Sequence, residues 1–194
     1  MRIISGSARG RKLLAPGPRF GALIRPTSDR AREAIFSILA AKVVGARVLD
    51  LFAGTGALGL EALSRGALLA LFVDGQRSVT ELIERNVALC AFTDRATVLQ
   101  RDLGRGLDFL AAKQPVNGFD LVFLDPPYGS ILALRVLECL AAGSFLGAKA
   151  IVVLEDAAEA QYPQTLGVLT CFDRRRYGEA GFWLYHHTEA GSND

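Results

Sequence analysis

Residues 48–63 most strongly constrain the architecture that this chain can adopt. They begin as an apolar run typical of a buried strand, pass through Ala53-Gly54-Thr55-Gly56, and continue with leucines at helical spacing towards Gly66, the expected helix stop. A strand, a glycine turn and a helix in immediate succession are typical of the ligand-binding turn of a doubly wound α/β sheet, where glycine lets the backbone approach a ligand closely. The spacing Gly54-x-Gly56-x-x-Gly59 matches a dinucleotide-binding pattern, which on its own is a weak signal.

Two acidic residues near this turn change the ligand that it predicts. Asp50 lies at the end of the strand, where a carboxylate would repel a pyrophosphate and attract a cationic amino group. Asp74 ends the next apolar run, where an acid accepts hydrogen bonds from both hydroxyls of a ribose. A ligand with an ammonium group, a ribose and no phosphate fits S-adenosylmethionine. A nicotinamide-dependent dehydrogenase is a poor alternative because of Asp50.

The remaining chain alternates strands and helices, which favours an α/β fold with a mainly parallel sheet. Strands are predicted at residues 48–52, 67–73, 96–100, 119–124 and 150–154, and helices at residues 78–90, 103–112 and 131–142. Two further strands, at 166–176 and 181–187, are separated by a hairpin-length turn. This C-terminal pair predicts an antiparallel addition to the parallel sheet.

The N-terminal region carries most of the positive charge. Through Ile35 the chain has eight basic and two acidic residues, although its net charge is only +2. Two short extended segments, residues 2–5 and 12–15, flank a small basic linker and predict a β-hairpin. Arginine dominates here, and its guanidinium fork suits phosphate groups and stacks on bases. We therefore expect this arm to bind nucleic acid.

A helix follows the arm. Its N-cap is predicted to be Thr27 or Ser28, and apolar residues from Ala31 onward recur at helical spacing, so that one face packs on the body. Arg30 and Arg32 are then expected to point away from the body, free for solvent or a ligand.

The turn after the fourth predicted strand, Asp125-Pro126-Pro127-Tyr128, indicates the chemistry. It is expected at the ligand-binding edge of the sheet. The Asp125 carboxylate and the Pro126 carbonyl can both accept hydrogen bonds from one exocyclic amino group, and the Tyr128 ring can stack on a base. Two acceptors localise the lone pair of the amino nitrogen, which can then attack an activated methyl group in line. The alternative is a rigid strand-to-helix turn with no catalytic role.

The chain resembles the RsmD family of ribosomal RNA methyltransferases, which use S-adenosylmethionine to methylate the N2 amino group of a guanine in bacterial 16S rRNA. The resemblance covers nearly the full length. It rests on two N-terminal motifs, at residues 2–13 and 25–33, and on the glycine and Asp-Pro-Pro-Tyr turns, which many amino-methyltransferases share. Gln76 is a departure, because the family usually has a second acid there beside the ribose.

The resemblance implies a Rossmann-like class I S-adenosylmethionine-dependent methyltransferase fold with a small N-terminal β-hairpin extension. It also implies roles for matching residues. The catalytic residues would be Asp125, Pro126, Pro127 and Tyr128. The residues that bind S-adenosylmethionine would be Asp50, Phe52, Ala53, Gly54, Thr55, Gly56, Asp74, Asp102, Leu103 and Thr27, with Asp102 near the adenine amino group and Leu103 beside its ring. The residues that bind RNA would be Arg2, Arg9, Arg11, Lys12, Arg25, Arg30 and Arg32.

The expected organisation is a basic arm over residues 1–24, a methyltransferase domain over 25–188 and a disordered tail over 189–194. We expect a cytoplasmic monomer with no metal and no membrane span, acting on 16S rRNA in the small ribosomal subunit. One alternative is a DNA methyltransferase acting on adenine N6 or cytosine N4, for which the basic arm is short. The other is a cofactor-bound RNA assembly factor, against which the intact Asp-Pro-Pro-Tyr turn argues.

Overall fold

The computed structural model describes residues 1–15 and 28–188. The predictions made for Arg25, for Thr27 and for the tail over 189–194 lie outside these residues. The chain divides into two compact units, Met1–Asp102 and Leu103–Asp194. Within the described ranges, no helix is both long and apolar enough to cross a membrane.

The first unit contains a parallel sheet of three strands connected by helices. Its strands are β1 (Arg47–Leu51), β2 (Leu69–Asp74) and β3 (Ala96–Gln100), with β2 in the middle. Its helices are α1 (Asp29–Leu39), α2 (Ala57–Ser64) and α3 (Arg77–Leu89), with a short 3-10 turn at Ala40–Lys42. The register places Asp50 opposite Phe72 and Asp74 opposite Gln100. The predicted order of strand, glycine turn and helix is therefore confirmed.

Burial explains the positions of these elements. Every residue of α2 is buried, which its almost entirely apolar sequence allows. Helix α1 begins at the predicted N-cap, where the Ser28 side chain accepts the Ala31 N–H at 3.1 Å.

Residues 1–15, here called the N-terminal arm, form the predicted hairpin. Arg2 and Lys12 make a single antiparallel bridge. Beside it, the Ile3 N–H donates to the Arg11 carbonyl at 3.0 Å. Ile3 and Leu13 are buried, so the arm packs on the first unit through apolar side chains while its basic side chains stay exposed.

The second unit begins with two parallel strands and ends with antiparallel ones. Its elements are β4 (Phe119–Leu124), α4 (Ile131–Ala142), β5 (Leu146–Ala157), β6 (Thr165–Leu166), β7 (Leu169–Tyr177) and β8 (Ala180–His187). Strand β5 pairs in parallel with β4 and antiparallel with β8, and β7 joins β8 to β6 through antiparallel pairs. This arrangement confirms the predicted antiparallel addition.

Glycines account for two differences from the predicted elements. The helix predicted at 103–112 consists of two 3-10 turns, Leu103–Arg105 and Asp108–Ala112, separated by Gly106 with a φ of +93°. The strand predicted at 166–176 is broken at Gly167, whose φ of +53° creates the tight connection between β6 and β7. Strand β5 also extends three residues beyond the predicted end at 154.

Candidate functional site

The glycine turn after β1 depends on backbone angles that favour glycine. Gly54 and Gly56 have φ values of 56° and 76°, and Phe52 adopts a φ of 58° although it is not glycine. The Gly56 N–H donates to the Ala53 carbonyl at 2.7 Å, and Gly56 then serves as the N-cap of α2. The turn therefore stores backbone strain next to the predicted cofactor site.

Asp50 lies beneath this turn and is 1% exposed. Its Oδ2 accepts the Gly59 N–H from α2 at 2.9 Å. The pKa of Asp50 is raised to about 8: burial is the largest cause, the Gly59 N–H bond lowers the pKa, and the nearby Asp74 carboxylate raises it. No lysine or arginine in the described parts of the chain compensates the ionised form. A buried carboxyl with a raised pKa and no compensating cation fits a site that receives a ligand's ammonium group.

Gly59 makes the approach of Asp50 to α2 possible. A Cβ atom at position 59 would lie 2.3 Å from Cε1 of Phe72 and 3.0 Å from Oδ2 of Asp50. Phe72 is itself fully buried, and close packing of protein interiors limits how far its ring can shift. The third glycine of the sequence pattern therefore serves packing between helix and strand.

Asp74 orders the same turn from the end of β2. Its Oδ2 accepts the Gly54 N–H at 3.2 Å, and its Oδ1 accepts the Gln76 N–H at 3.0 Å. Burial raises the pKa of Asp74, whereas hydrogen bonds from the backbone N–H groups of Gln76, Gly54 and Gly75 lower it. A carboxylate offers about four acceptor positions, so Asp74 retains acceptor capacity for ribose hydroxyls besides these backbone bonds.

The structure brings seven of the predicted cofactor residues together in the first unit: Asp50, Phe52, Ala53, Gly54, Thr55, Gly56 and Asp74. Asp102 lies two positions after β3 with an exposed side chain. Leu103 begins the second unit and is buried. Thr27 lies outside the described residues.

The Asp-Pro-Pro-Tyr turn connects β4 to α4 in the second unit. Asp125 and Tyr128 are half-buried, Pro126 is buried and Pro127 is exposed. The Pro127 carbonyl accepts the Ser130 N–H at 3.1 Å, which closes the turn. No described residue donates a hydrogen bond to the Pro126 carbonyl. This carbonyl therefore has the acceptor capacity that the sequence predicts for binding an amino group.

Two buried acids behind this turn were not found from the sequence. Glu155 Oε1 accepts the Tyr128 hydroxyl at 2.9 Å, and Asp156 Oδ1 accepts the Gly129 N–H at 2.9 Å. Asp156 Oδ2 also accepts the Tyr162 hydroxyl at 2.5 Å. The two acids fix the tyrosine ring and the end of the turn. The sequence did contain a signal for them. Glu155 and Asp156 directly follow the apolar run at residues 150–154, much as Asp50 and Asp74 lie at the ends of apolar runs.

The basic residues of the N-terminal arm are exposed: Arg2, Arg9, Arg11 and Lys12. The arm contains no acidic residue, so this surface is positive. Arg30 on α1 is also exposed, and Arg25 lies outside the described residues.

The expectation that Arg32 points away from the body is wrong. Its side chain is completely buried, and its Nη2 donates to the Arg2 carbonyl at 2.7 Å and to Asp29 Oδ1 at 2.9 Å. Burial lowers its pKa, while Asp29 and Glu61 raise it. The packed N-terminal arm covers this side of α1, which the helical pattern alone does not reveal. Arg32 therefore anchors the arm, and we do not retain it as an RNA contact.

Two buried polar residues of α2 also hold the N-terminal arm. The Glu61 carboxylate accepts the N–H groups of Ile4 at 2.7 Å and Ser5 at 3.0 Å. Ser64 Oγ accepts the Ala8 N–H at 2.9 Å and donates to the Ser5 carbonyl at 2.5 Å. These bonds satisfy backbone groups that apolar packing would leave unpaired. The arm is thus fixed to the helix that follows the glycine turn.

Within residues 1–15 and 28–188, no group of three or more histidine, cysteine or acidic side chains is arranged to hold a metal ion. The polar groups in these ranges that lie at the two turns are carboxylates and backbone groups. Such groups suit hydrogen bonding to an organic ligand.

Comparison with known proteins extends over nearly the whole chain. Residues 1–186 match the model of a protein family described as "Conserved hypothetical protein 95". The chain is 34% identical over 194 residues to ribosomal RNA small subunit methyltransferase D of Escherichia coli strain K12, with 100% of this chain and 93% of that protein aligned.

Solved structures agree with this similarity. The Escherichia coli protein yhhF, described as a candidate methyltransferase, aligns with a TM-score of 0.82 and 33% identity, covering 97% of this chain and 98% of that one. An RNA methyltransferase from Salinibacter ruber, in complex with S-adenosyl-L-homocysteine, aligns with a TM-score of 0.64 and 14% identity, covering 88% and 98%. The second likeness concerns the fold alone. Together they confirm the predicted α/β methyltransferase fold.

Proposed function

This chain belongs to the RsmD family of ribosomal RNA methyltransferases, and we propose that it methylates the N2 amino group of a guanine in 16S rRNA, in the assembled or assembling small ribosomal subunit. The observation that carries the proposal is the Asp125–Tyr128 turn. Within four residues it presents the Asp125 carboxylate, the Pro126 carbonyl, to which no described residue donates, and the Tyr128 ring. Buried acids hold the turn from behind.

The first unit supports S-adenosylmethionine as the cofactor. The buried Asp50 carboxyl gains a compensating charge if a ligand ammonium group approaches, and Asp74 has acceptor capacity for ribose hydroxyls. When bound, this cofactor supplies an electrophilic methyl group on a sulfonium centre. The glycine turn allows close approach of the backbone to the methionine portion. Asp102 and Leu103 are proposed to contact the adenine, as the family resemblance implies.

The second unit supports an exocyclic amino group as the acceptor of the methyl group. One amino hydrogen is donated to the Asp125 carboxylate and the other to the Pro126 carbonyl, which localises the lone pair on the nitrogen. Bound S-adenosylmethionine would supply the methyl group to this nitrogen and leave as S-adenosylhomocysteine, and the proton that the nitrogen loses would pass to solvent by way of the Asp125 carboxylate. Asp125 stabilises the positive charge that develops on the nitrogen. Positioning and electrostatics supply most of the rate enhancement in this scheme.

Tyr128 and the N-terminal arm are proposed to hold the RNA. The bond from the Tyr128 hydroxyl to Glu155 fixes the ring, so that a guanine extruded from its stack can pack against it. Arg9, Arg11 and Lys12 expose positive charge without a neighbouring acid in the arm, which suits phosphate contacts. We further expect the protein to act as a monomer.

Methyl transfer from labelled S-adenosylmethionine tests the proposal directly. Unmethylated small ribosomal subunits, free 16S rRNA and DNA are offered in parallel, and the modified nucleoside is identified by mass spectrometry. We expect N2-methylguanosine from subunits. Methyladenine or methylcytosine in DNA would contradict the rRNA assignment. Confirmed cofactor binding with no transfer to any substrate would favour an assembly factor instead.

Asp125→Ala is expected to lower kcat by a factor of 100 or more, since one removed electrostatic donor or acceptor typically costs about 10²–10³. Affinity for S-adenosylhomocysteine should change by less than about twofold, because Asp125 is proposed to hold the amino group rather than the cofactor. Asp108→Ala is the matched control, because it removes an exposed carboxylate of the same unit. Equal loss of cofactor affinity and of kcat would show that the role of Asp125 is misassigned.

A further inference from the structure

We propose that Asn86 is a positioning residue that couples the N-terminal arm to the glycine turn, so that RNA and S-adenosylmethionine bind with positive cooperativity. The inference rests on the proposed function, since it takes the arm as the RNA-binding element and the turn as the cofactor site. RNA binding by the arm and cofactor binding by the turn could each occur without any coupling between the two sites.

Asn86 is fully buried on α3, and both the oxygen and the nitrogen of its side-chain amide make hydrogen bonds. Its Oδ1 accepts the Leu14 N–H at 2.7 Å, and its Nδ2 donates to the Leu14 carbonyl at 3.2 Å. The same Nδ2 donates to the Thr55 carbonyl at 2.9 Å. One side chain thus holds both main-chain polar groups of a residue near the end of the arm and one main-chain group in the glycine turn.

The beginning of the arm meets the same turn. The Thr55 hydroxyl donates to Met1 Sδ at 3.5 Å. Thr55 lies between Gly54 and Gly56, so the beginning of the arm contacts the residue at the centre of the turn directly. The end of the arm, at Leu14, reaches the same residue through Asn86. The other polar attachments of the arm go to Glu61 and Ser64 on α2 and to Asp29 and Arg32 on α1, and they do not involve the turn. Asn86 is therefore the side chain through which a displacement of the Leu14 backbone reaches the Thr55 carbonyl.

Burial makes these bonds interdependent. If the arm moves away from Asn86, the amide loses two partners in a place from which water is excluded, and its bond to Thr55 loses its fixed geometry. A cofactor that orders the turn consequently favours the docked arm. RNA that holds the arm favours the ordered turn by the same factor, because coupling between two bound ligands is reciprocal.

Two affinities of the wild-type protein provide the first test. The dissociation constant of S-adenosylhomocysteine is measured by calorimetry with and without saturating unmethylated small ribosomal subunits. We expect subunits to tighten binding about five- to tenfold, at the lower end of typical coupling between sites. Methyl transfer to subunits without any change in this constant would overturn the inference and leave the proposed function intact. Absence of both transfer and subunit binding would instead overturn the proposed function.

Variants then locate the coupling. Asn86→Asp keeps an oxygen for the Leu14 N–H but removes the amide donor to Thr55 and to the Leu14 carbonyl, and we expect the coupling to fall below about twofold. Ser64→Ala is the matched control, because it loosens the arm at Ala8 without touching the turn. It should weaken subunit binding equally with and without S-adenosylhomocysteine, leaving the coupling factor unchanged. Equal coupling in both variants would overturn the role of Asn86.

Hydrogen exchange of the wild-type protein keeps the inference testable if Asn86→Asp does not fold. The Leu14 amide donates directly to Asn86, so its exchange reports the docked arm. We expect S-adenosylhomocysteine alone to slow exchange at Leu14 at least threefold, while the Ala8 amide, held by Ser64, changes less. Unchanged exchange at Leu14 under saturating ligand would overturn the inference, because a merely structural Asn86 does not transmit cofactor binding to the arm.

Discussion

Replacement of Asp50 by asparagine tests whether this carboxyl is neutral in the ligand-free protein. Burial raises its pKa to about 8, whereas an aspartate in an unfolded chain has a pKa of about 3.9. Between these two values the folded state binds more protons than the unfolded state. The stability contributed by this group is therefore greatest at low pH and is lost progressively as the pH rises towards 8.

The width of this pH window determines the size of the effect. One extra proton retained by the folded state changes the free energy of unfolding by about 1.4 kcal/mol per pH unit. Over the window from about 4 to about 8, the loss is on the order of 5 kcal/mol, a large fraction of the roughly 5–15 kcal/mol that stabilises typical proteins. Asparagine keeps an acceptor for the Gly59 N–H but does not titrate, so Asp50→Asn lacks this slope.

Urea unfolding of both proteins from pH 5 to pH 8 at constant ionic strength measures the effect. The difference in unfolding free energy between variant and wild type removes the contribution of all other titrating groups that the two share. We expect this difference to move in favour of Asp50→Asn by about 1 kcal/mol per pH unit, with unchanged m-values. Asp94→Asn, at an exposed position, is the matched control and should show no comparable slope.

A difference that does not vary with pH would refute this reasoning, because Asp50 would then be ionised in the folded protein throughout the range. Saturating S-adenosylhomocysteine provides a second check. Its ammonium group favours the ionised carboxylate, so the pH slope of the wild-type protein should diminish in its presence. Binding should also release protons near pH 7, and this release should be absent in Asp50→Asn.

Two further predictions concern packing and charge. Gly59→Ala places a methyl group 2.3 Å from a ring carbon of the buried Phe72, so urea unfolding should show a loss of about 1–3 kcal/mol. The control Gly75→Ala, whose methyl group would lie 3.7 Å from the Arg101 carbonyl oxygen, should stay within about 0.5 kcal/mol of wild type. If Gly59→Ala unfolded with the same free energy as the wild-type protein, the tight packing described for α2 would be contradicted. Arg9→Ala combined with Arg11→Ala should weaken subunit binding and reduce the slope of log affinity against log salt by about 1–2, whereas exposed Arg77→Ala should leave the slope unchanged. An unchanged slope in the double variant would remove the arm from the RNA interface.

Acidic residues at the carboxyl ends of parallel strands recur in both units. In the first unit, Asp50 and Asp74 bind backbone N–H groups of the glycine turn and of the residues around it. In the second, Glu155 and Asp156 hold the Asp-Pro-Pro-Tyr turn and its following glycine. Each pair uses some of its carboxylate oxygens to accept hydrogen bonds that hold the neighbouring loop. The loops that carry the proposed chemistry are therefore fixed by acids at the strand ends as well as by their own sequence.

Local sequence determined the order of strands and helices and the identity of the two functional turns. A buried strand followed by glycines and a helix has few alternatives, since only glycine tolerates the positive φ values at positions 54 and 56 without cost. The placement of Asp50, Asp74 and Asp125 followed from the same local pattern, because each acid directly adjoins a strand end. Periodicity could not foresee that glycines would divide the segment at 103–112, where apolar spacing favours a helix.

Only the tertiary structure decided what the remaining polar residues do. Arg32 is buried because a distant arm covers its side of α1, and Asn86 acquires its partner at Leu14 across 72 positions of sequence. Glu155 likewise meets Tyr128 across 27 positions. Helical or strand periodicity reports which residues share a face, but not which segment of chain packs against that face. Burial and hydrogen-bond partners depend on that packing, and they distinguish an arginine that binds RNA from one that anchors the fold.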